Sequence, residues 1–218
     1  MKSNDLVETL SHHGVTLVAV TKNQALERVL PLYEAGLRDF GENRVQDLLI
    51  KYEALPKDIR WHLIGHLQTN KVKFIAPFVH LIHSIDSLKL LAELDKNAGL
   101  NNRVVDFLLQ VHVAEEESKF GFSPDALRLL VDQNALAKFK NVRLRGLMAM
   151  ATNTDDRTQI ANEFTIARQL FASLQHSFPE ASPNAMVDTL SMGMSSDYEI
   201  ALEHGSNLVR IGSLLFND

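Results

Sequence analysis

Residues 15–22 read Val-Thr-Leu-Val-Ala-Val-Thr-Lys, and this stretch decides the fold more than any other. Val15–Val20 is a nearly continuous run of apolar and β-branched side chains, which predicts a β-strand covered on both faces, as in a parallel sheet. Phe107–Val113 has the same character. The two runs together indicate a protein of the α/β class.

Similar short runs recur along the chain, and longer segments with helical spacing lie between them. The pattern predicts strands at Val15–Val20, Arg38–Phe40, Trp61–Ile64, Leu81–Ile85, Val104–Val113, Leu144–Met150, Val187–Leu190 and Leu208–Ile211. It predicts helices at Gln24–Ala35, Arg44–Ala54, Ser87–Ala98, Ser123–Ala137 and Asp156–His176. Eight βα units predict a closed (β/α)8 barrel of the TIM type, with an open α/β sheet as the alternative. We expect one domain over residues 1–218, because no linker-like segment interrupts the chain.

Composition excludes several classes of function. The chain has 22 Lys and Arg residues against 27 Asp and Glu residues, and the basic residues are scattered, so nucleic acid is not an expected partner. Cysteine is absent, which excludes disulfides, thiolate nucleophiles and thiolate metal sites and fits a reducing compartment. Residues 1–13 carry Asp5 and Glu8 where a signal peptide needs an apolar stretch. We therefore expect a cytoplasmic protein that is not embedded in a membrane.

The first strand ends in a lysine. Reactive groups of a βα barrel gather at the carboxyl ends of the strands, and Lys22 directly follows the run that ends at Val20. Partial desolvation there would lower the pKa of the amine and make it a nucleophile toward a carbonyl group. Lys22 is thus a candidate for imine formation, although a strand-end lysine that extends into solvent is the plainer interpretation of its position.

The seventh and eighth units end in segments suited to an anion. Ser191–Asp197 has a glycine that lets the backbone approach a ligand, followed by hydroxyl groups and an aspartate that could open a helix. Arg210 is followed by Gly212 and Ser213 at the end of the eighth strand. Barrels of this kind commonly bind phosphate at these two loops.

Strand eight pairs with strand one in a closed barrel, so the amine and the anion site are expected to be neighbours. A phosphorylated aldehyde would satisfy both. Pyridoxal 5′-phosphate (PLP) is such a molecule, and a phosphorylated sugar bound by a Schiff-base aldolase meets the same two demands. The spacing of the residues does not choose between them.

Eight ordered blocks between Val15 and Phe216 resemble the YggS/PROSC family of PLP-homeostasis proteins. The blocks are Val18–Lys22, Phe40–Asn43 with Val45–Gln46, Trp61–Lys71, His83–Asp86, Lys119–Gly121, Arg145–Met148, Leu190–Ser195 and Val209–Gly212. A match of several blocks in order over nearly the whole chain is far more specific than any single motif. The resemblance favours PLP as the ligand.

The resemblance implies a fold-type III PLP barrel, similar to the N-terminal domain of alanine racemase but in a single-domain form. It implies that Lys22 forms the Schiff base, that Asn43 lies near the ring, and that Met148 packs against the cofactor. It further implies a phosphate site formed by Ser191, Gly193, Arg210, Gly212 and Ser213. Because the family has no established turnover, it implies a carrier or regulator of PLP, with PLP-dependent apo-enzymes as candidate partners.

A PLP-dependent racemase is the principal alternative. Such an enzyme needs a second base on the opposite face of the cofactor, and racemases of this fold supply a tyrosine from an added domain. The tyrosines here are Tyr33, Tyr52 and Tyr198, none of them in a comparable domain. The missing domain is also the one through which racemases dimerise, so we expect a monomer.

No metal site is predicted from the nine histidines. The pairs His62/His66 and His80/His83 fall on strands and their loops, where this spacing does not place side chains on one face, and zinc would also favour cysteine or a nearby carboxylate. We expect hydrogen-bonded barrel histidines, with His66 as a possible contact of the cofactor loop. Residues 115–119, three glutamates followed by Ser and Lys, are expected to form a solvated loop after the fifth strand.

Overall fold

The structure, a computed structural model, describes residues 3–114, 120–178 and 184–216. Eight parallel strands form one closed barrel in the order in which they follow one another along the chain, which confirms the predicted fold class. The strands are β1 (Thr16–Val20), β2 (Asp39–Glu42), β3 (Arg60–Leu63), β4 (Leu81–Ile85), β5 (Val105–Val111), β6 (Val142–Ala149), β7 (Ala185–Met194) and β8 (Leu208–Ile211).

Helices alternate with the strands and cover the outside of the barrel. They are α1 (Ser3–His12), α2 (Leu26–Glu34), α3 (Val45–Ala54), α4 (Val72–Ile75), α5 (Leu88–Leu100), α6 (Pro124–Asp132), α7 (Arg157–Ser177), α8 (Tyr198–Glu203) and α9 (Ser213–Phe216), with a 3-10 turn at Thr69–Lys71. Ser87 and Ser123 cap α5 and α6, each accepting a hydrogen bond from a first-turn N–H. No helix in the described part of the chain is both long and apolar enough to cross a membrane.

The barrel closes between the first and last strands. β1 pairs with β8 in parallel, and Val18 lies opposite Arg210 in the register. A closed sheet has no free edge, and its closure places the first and last strands side by side. The residues that follow β1 and β8 are therefore neighbours at the same end of the barrel, as the sequence predicts.

The core has two parts. The larger part fills the space between the strands and the helices, and its largest buried side chains include Trp61, Phe40 and Phe107. A smaller cluster is formed by five buried side chains, Val18, Leu81, Leu108, Met148 and Leu208. These come from five different strands, as is typical of the packed interior of a barrel.

The strand bounds agree well with the sequence pattern except in β7. Leu81–Ile85 and Leu208–Ile211 are predicted with the observed bounds, whereas β7 was expected to end at Leu190 and continues to Met194. The register between β7 and β8 shifts between Ser191 and Met194, and Gly193 has a φ of 95° that favours glycine. The chain thus bends there and stays in the sheet. The predicted loop at 115–119 lies outside the described residues.

Candidate functional site

A cavity of about 590 Å³ opens at the carboxyl ends of the strands. This is the end at which barrels of this type carry their binding sites. Its wall is formed by Val20, Lys22, Asn43, Ile64, Gly65, His66, Gln110, Phe120, Met150, Met194, Ser195, Ser196, Arg210, Gly212 and Ser213. Five of the eight residues predicted to contact a cofactor, Lys22, Asn43, Arg210, Gly212 and Ser213, are therefore brought together here.

Lys22 reaches the cavity because of the two-residue period of β1. Val18 faces the barrel interior and Val20 lines the cavity, and alternate residues of a strand point to the same side. Lys22 is the next residue in this series. Lys22 is exposed, whereas its position in the sequence predicts partial desolvation of its amine.

The turn that carries Lys22 is held from below by a buried polar network. The Thr21 hydroxyl donates to Glu42 Oε1 at 2.5 Å, and Lys51 Nζ donates to the same oxygen and to the Thr21 carbonyl, each at 2.5 Å. Glu42 Oε2 is buried with no hydrogen-bond partner among the described residues. After Lys22 the backbone turns at Asn23, whose φ of 61° is one that asparagine tolerates better than most residues. The backbone from which the exposed Lys22 side chain extends is thus held by buried neighbours.

Arg210 supplies a buried cation on the cavity wall. Its Nη1 donates to the Ser191 carbonyl at 2.9 Å and to the Ser191 hydroxyl at 2.5 Å, and its Nη2 donates to the Ala149 carbonyl at 3.0 Å. Burial lowers the pKa of Arg210 to about 10, partly offset by the nearby Asp197. No carboxylate forms an ion pair with Arg210 in the described part of the chain, so its charge is available to an anionic ligand.

The loops after β7 and β8 meet through a serine. The backbone N–H of Gly212 donates to Ser195 Oγ at 3.2 Å. Ser196 and Ser213 lie on the same part of the cavity wall. Serine hydroxyl groups and the guanidinium of Arg210 thus line the part of the cavity where the sequence predicts a phosphate.

The opposite wall carries an aromatic pair. The ring of His66 stacks on Phe120 with 3.8 Å between centroids, and His66 Nδ1 lies 3.3 Å from Asp86 Oδ2. Asn43 stands beside Gly65, where a Cβ atom would come within 2.2 Å of the Asn43 carbonyl oxygen, so only glycine fits. This wall is suited to the face of a planar ring.

Met148, Ser191 and Gly193 are predicted contacts that do not line the cavity. Met148 is fully buried in the interior cluster, and Met150, two residues further along, takes the place on the wall. Ser191 is fully buried beneath Arg210. A Cβ atom on Gly193 would lie 2.6 Å from the Ala201 side chain, so this glycine is required for packing against α8.

Several wall residues were not predicted from the sequence. The omitted set comprises Val20, Ile64, Gly65, Gln110, Phe120, Met150 and Met194, whereas Ser195 and Ser196 belong to the segment that was expected to suit an anion. The signal that would have found part of this set is the period of two at strand ends. Val20 follows Val18, Met150 follows Met148, and Gln110 follows Leu108, each two residues beyond a member of the interior cluster.

Three residues at the other end of the barrel have the spacing of a metal site. Possible ligand atoms of Asp39, His62 and His80 lie within 4.8 Å of one another. However, Arg60 already binds Asp39 through two hydrogen bonds of 2.7 and 2.5 Å, and both ring nitrogens of His62 have hydrogen-bond partners, Asp39 and His83. A guanidinium beside the carboxylate disfavours a metal cation, so we interpret the group as a hydrogen-bonded cluster.

Known proteins resemble this chain over nearly its whole length. Residues 4–218 match the model of the family described as alanine racemase, N-terminal domain. A protein of Aquifex aeolicus named pyridoxal phosphate homeostasis protein is 41% identical over 203 residues, which cover 93% of this chain and 86% of that protein. A Helicobacter pylori protein of the same name is 41% identical over 209 residues, covering 95% of this chain and 89% of the relative.

Solved structures give the same result. PipY of Synechococcus elongatus, determined without PLP, has a TM-score of 0.89 and 35% identity and covers 100% of both chains. The same protein with PLP bound has a TM-score of 0.84 and covers 99% of both chains. An alanine racemase of Clostridium difficile has a TM-score of 0.74 at 12% identity, and 55% of its chain is covered, which shows a shared fold.

Proposed function

The chain belongs to the family of the alanine racemase N-terminal domain and, within it, to the pyridoxal phosphate homeostasis proteins; from this membership we propose that it binds PLP and takes part in the homeostasis of this cofactor. The proposal treats residues 1–218 as one PLP-binding domain. The membership agrees with the resemblance to the YggS/PROSC family that the sequence blocks indicate.

The single observation that carries the proposal is that one cavity holds both an exposed lysine amine and a buried arginine. Lys22 and Arg210 both line the cavity; Lys22 follows β1 and Arg210 lies on β8, and these two strands pair directly. An unprotonated Lys22 Nζ can add to the aldehyde carbon of PLP, with one water molecule leaving as the Schiff base forms. Arg210, together with Ser195, Gly212 and Ser213, would hold the anionic part of the ligand.

The cavity wall favours a binding role over racemisation. Racemases of this fold use a tyrosine as the second base, and no tyrosine lies among the described residues of the cavity wall. Tyr33 bonds to Asp58 and Tyr52 stacks on Phe78, both away from the cavity. The named relatives are homeostasis proteins, which supports a carrier or regulator without turnover.

Exposure of Lys22 supports reversible loading. A Schiff base at an exposed amine is accessible to water and to amines that compete for the aldehyde. We therefore propose that PLP can be released or passed on, with PLP-dependent apo-enzymes as recipients. A monomeric state and a cytoplasmic location remain predictions from the sequence.

The proposal is tested by incubating the full chain with PLP, reducing it with borohydride, and measuring the intact mass followed by peptide mapping. We expect one added pyridoxyl group, located on Lys22. Lys22→Ala should lose the label completely. Lys89→Ala is the matched control, because Lys89 is also an exposed lysine but lies on α5 outside the cavity wall, and it should label like the wild type.

Labelling that is spread over several exposed lysines, or that persists in Lys22→Ala, would overturn the assignment of Lys22. Absence of PLP binding in the wild type, measured by absorbance titration, would overturn the proposed function itself.

A further inference from the structure

A continuous line of hydrogen bonds crosses the barrel interior. Asp39 Oδ1 lies 3.0 Å from His62 Nε2, and His62 Nδ1 lies 2.9 Å from His83 Nε2. His83 Nδ1 lies 3.0 Å from Ser191 Oγ, which lies 2.5 Å from Arg210 Nη1. We call these five residues the interior chain. It joins the amino-terminal end of the barrel to the cavity wall.

The donors and acceptors of the interior chain fit one direction. Arg210 can only donate, so Ser191 Oγ accepts from it and its hydroxyl hydrogen is free for His83 Nδ1. His83 then carries its proton on Nε2 and donates to His62 Nδ1. His62 carries its proton on Nε2 in turn and donates to Asp39, which as a carboxylate can only accept.

The surroundings of the interior chain favour this arrangement of its protons. His83 is fully buried, and desolvation together with the nearby His62 and Arg210 holds its pKa well below the usual value, so its ring is neutral at pH 7. Asp39 is ionised, because its hydrogen bonds to Arg60 and His62 lower its pKa despite its burial. A neutral ring with one proton must choose one tautomer, and its neighbours determine the choice.

Arg210 is bound by the Ser191 hydroxyl, a member of the interior chain, and by two backbone carbonyls. Of its three described bonds, two go to backbone carbonyls of Ser191 and Ala149, and the third goes to the Ser191 hydroxyl. A guanidinium has five N–H groups, so donors remain for a ligand on the cavity side. With its hydrogen directed to His83 Nδ1, the Ser191 hydroxyl keeps an oxygen lone pair for Arg210.

We propose that His62, His83 and Ser191 are positioning residues, which orient the guanidinium of Arg210 toward the ligand in the cavity and are anchored by Asp39 at the opposite end of the barrel. None of the three lines the cavity. The inference rests on the proposed function, since it concerns how the PLP site is held.

The first test measures the histidine tautomers of the interior chain in the absence of any ligand. Nitrogen-15 NMR of the histidine rings in the full protein at pH 7 should show both His62 and His83 with the proton on Nε2. A ring with its proton on Nδ1, or a doubly protonated ring, at either position would overturn the inference.

The second test is Ser191→Ala, measured by absorbance titration with PLP. Removing the hydroxyl takes away one bond of Arg210 and the donor to His83, so we expect the Kd for PLP to rise about 10-fold and the His83 tautomer to become mixed. Ser206→Ala is the matched control: it removes another buried hydroxyl, one that contacts the carbonyls of Leu190, Met192 and Leu208 but not Arg210. Ser206→Ala should lose stability without changing either readout.

The outcomes separate the two ideas. If the wild type binds no PLP while the tautomers are as stated, the proposed function fails and the interior chain stands. If the wild type binds PLP and Ser191→Ala binds equally well with an unchanged His83 tautomer, the positioning role is wrong.

Discussion

The charged side chains at the two ends of the barrel differ in their partners. At the amino-terminal end, Asp106 accepts hydrogen bonds from Arg143 and Arg145, and Arg145 also binds Asp188. Asp39 is bound by Arg60 in the same manner. At the carboxyl end, neither Lys22 nor Arg210 forms an ion pair with a carboxylate in the described part of the chain.

The difference separates stability from binding within one fold. The ion pairs described at the amino-terminal end form between side chains of the protein itself and require no ligand. Lys22 and Arg210 on the cavity wall have no carboxylate partner in the described part of the chain, and the desolvation of Arg210 makes an anionic ligand more favourable there. Substitutions at the two ends should therefore change different measured quantities.

The largest effect is expected for Arg210→Met. The variant keeps an unbranched side chain but loses the buried cation, so the Kd for PLP should rise about 100-fold, equivalent to about 2.7 kcal/mol. Isothermal titration of the full chain with PLP measures this change. Unaltered affinity would show that the charge asymmetry between the ends does not serve binding.

At the other end, Asp106→Ala should lower the free energy of unfolding by about 2 kcal/mol. Removal of a buried ion-pair partner typically costs about 3–5 kcal/mol, and the value is smaller here because Arg143 and Arg145 are partly exposed. Urea unfolding checks the stability, and PLP titration should give the wild-type Kd. A loss of affinity as large as that of Arg210→Met would abolish the proposed division between the ends.

Low pH should lower the stability of the protein through His83 and Asp39, two members of the interior chain that joins the ends of the barrel. The pKa of His83 is well below 6.5 in the folded protein, so below about pH 6.5 the unfolded chain binds the proton first and stability falls as the pH falls. The slope from this one group is at most about 1.4 kcal/mol per pH unit. The lowered pKa of Asp39 adds a further loss below about pH 4.

Urea unfolding between pH 7 and pH 5 measures this slope in the wild type and in His83→Asn. In the variant, the number of protons taken up on unfolding over this pH range should be smaller by about one. An unchanged slope would mean that His83 does not stay neutral inside the barrel.

The smallest effect is expected for the stability of Lys22→Ala. Because Lys22 is exposed, its removal should change the free energy of unfolding by less than about 0.5 kcal/mol, measured by urea unfolding. Combined with complete loss of the borohydride label, this would place Lys22 entirely on the binding side of the comparison. A large destabilisation would move it to the structural side.

The sequence predicts the barrel well because both faces of its strands are covered. Val15–Val20 is a nearly continuous apolar and β-branched run, Leu208–Ile211 is apolar except for Arg210, and the structure confirms both as strands within one residue. Lys22 was found because it follows such a run, and Arg210 because it lies within one. The helices α1, α4 and α9 were missed, because their few apolar residues give no clear helical period, and of α8 only the start after Asp197 was expected.

The parts of the site that escaped the sequence depend on contacts between distant strands. Ser191 was expected in a turn beside the phosphate, and the bend at Gly193 keeps it in β7 and beneath Arg210. The pairing of His62 with His83 joins two strands whose relation only the barrel defines. No local pattern of residues records such a contact.

Pairing of β1 with β8 has a consequence for how the protein is made. Lys22 is synthesised long before Arg210, and the two become neighbours only when the barrel closes. A nascent chain that exposes the amine but lacks the eighth strand has no Arg210 guanidinium with which to retain a phosphorylated aldehyde. Retention of such a ligand at both groups therefore requires that the eighth strand has been made and paired with the first.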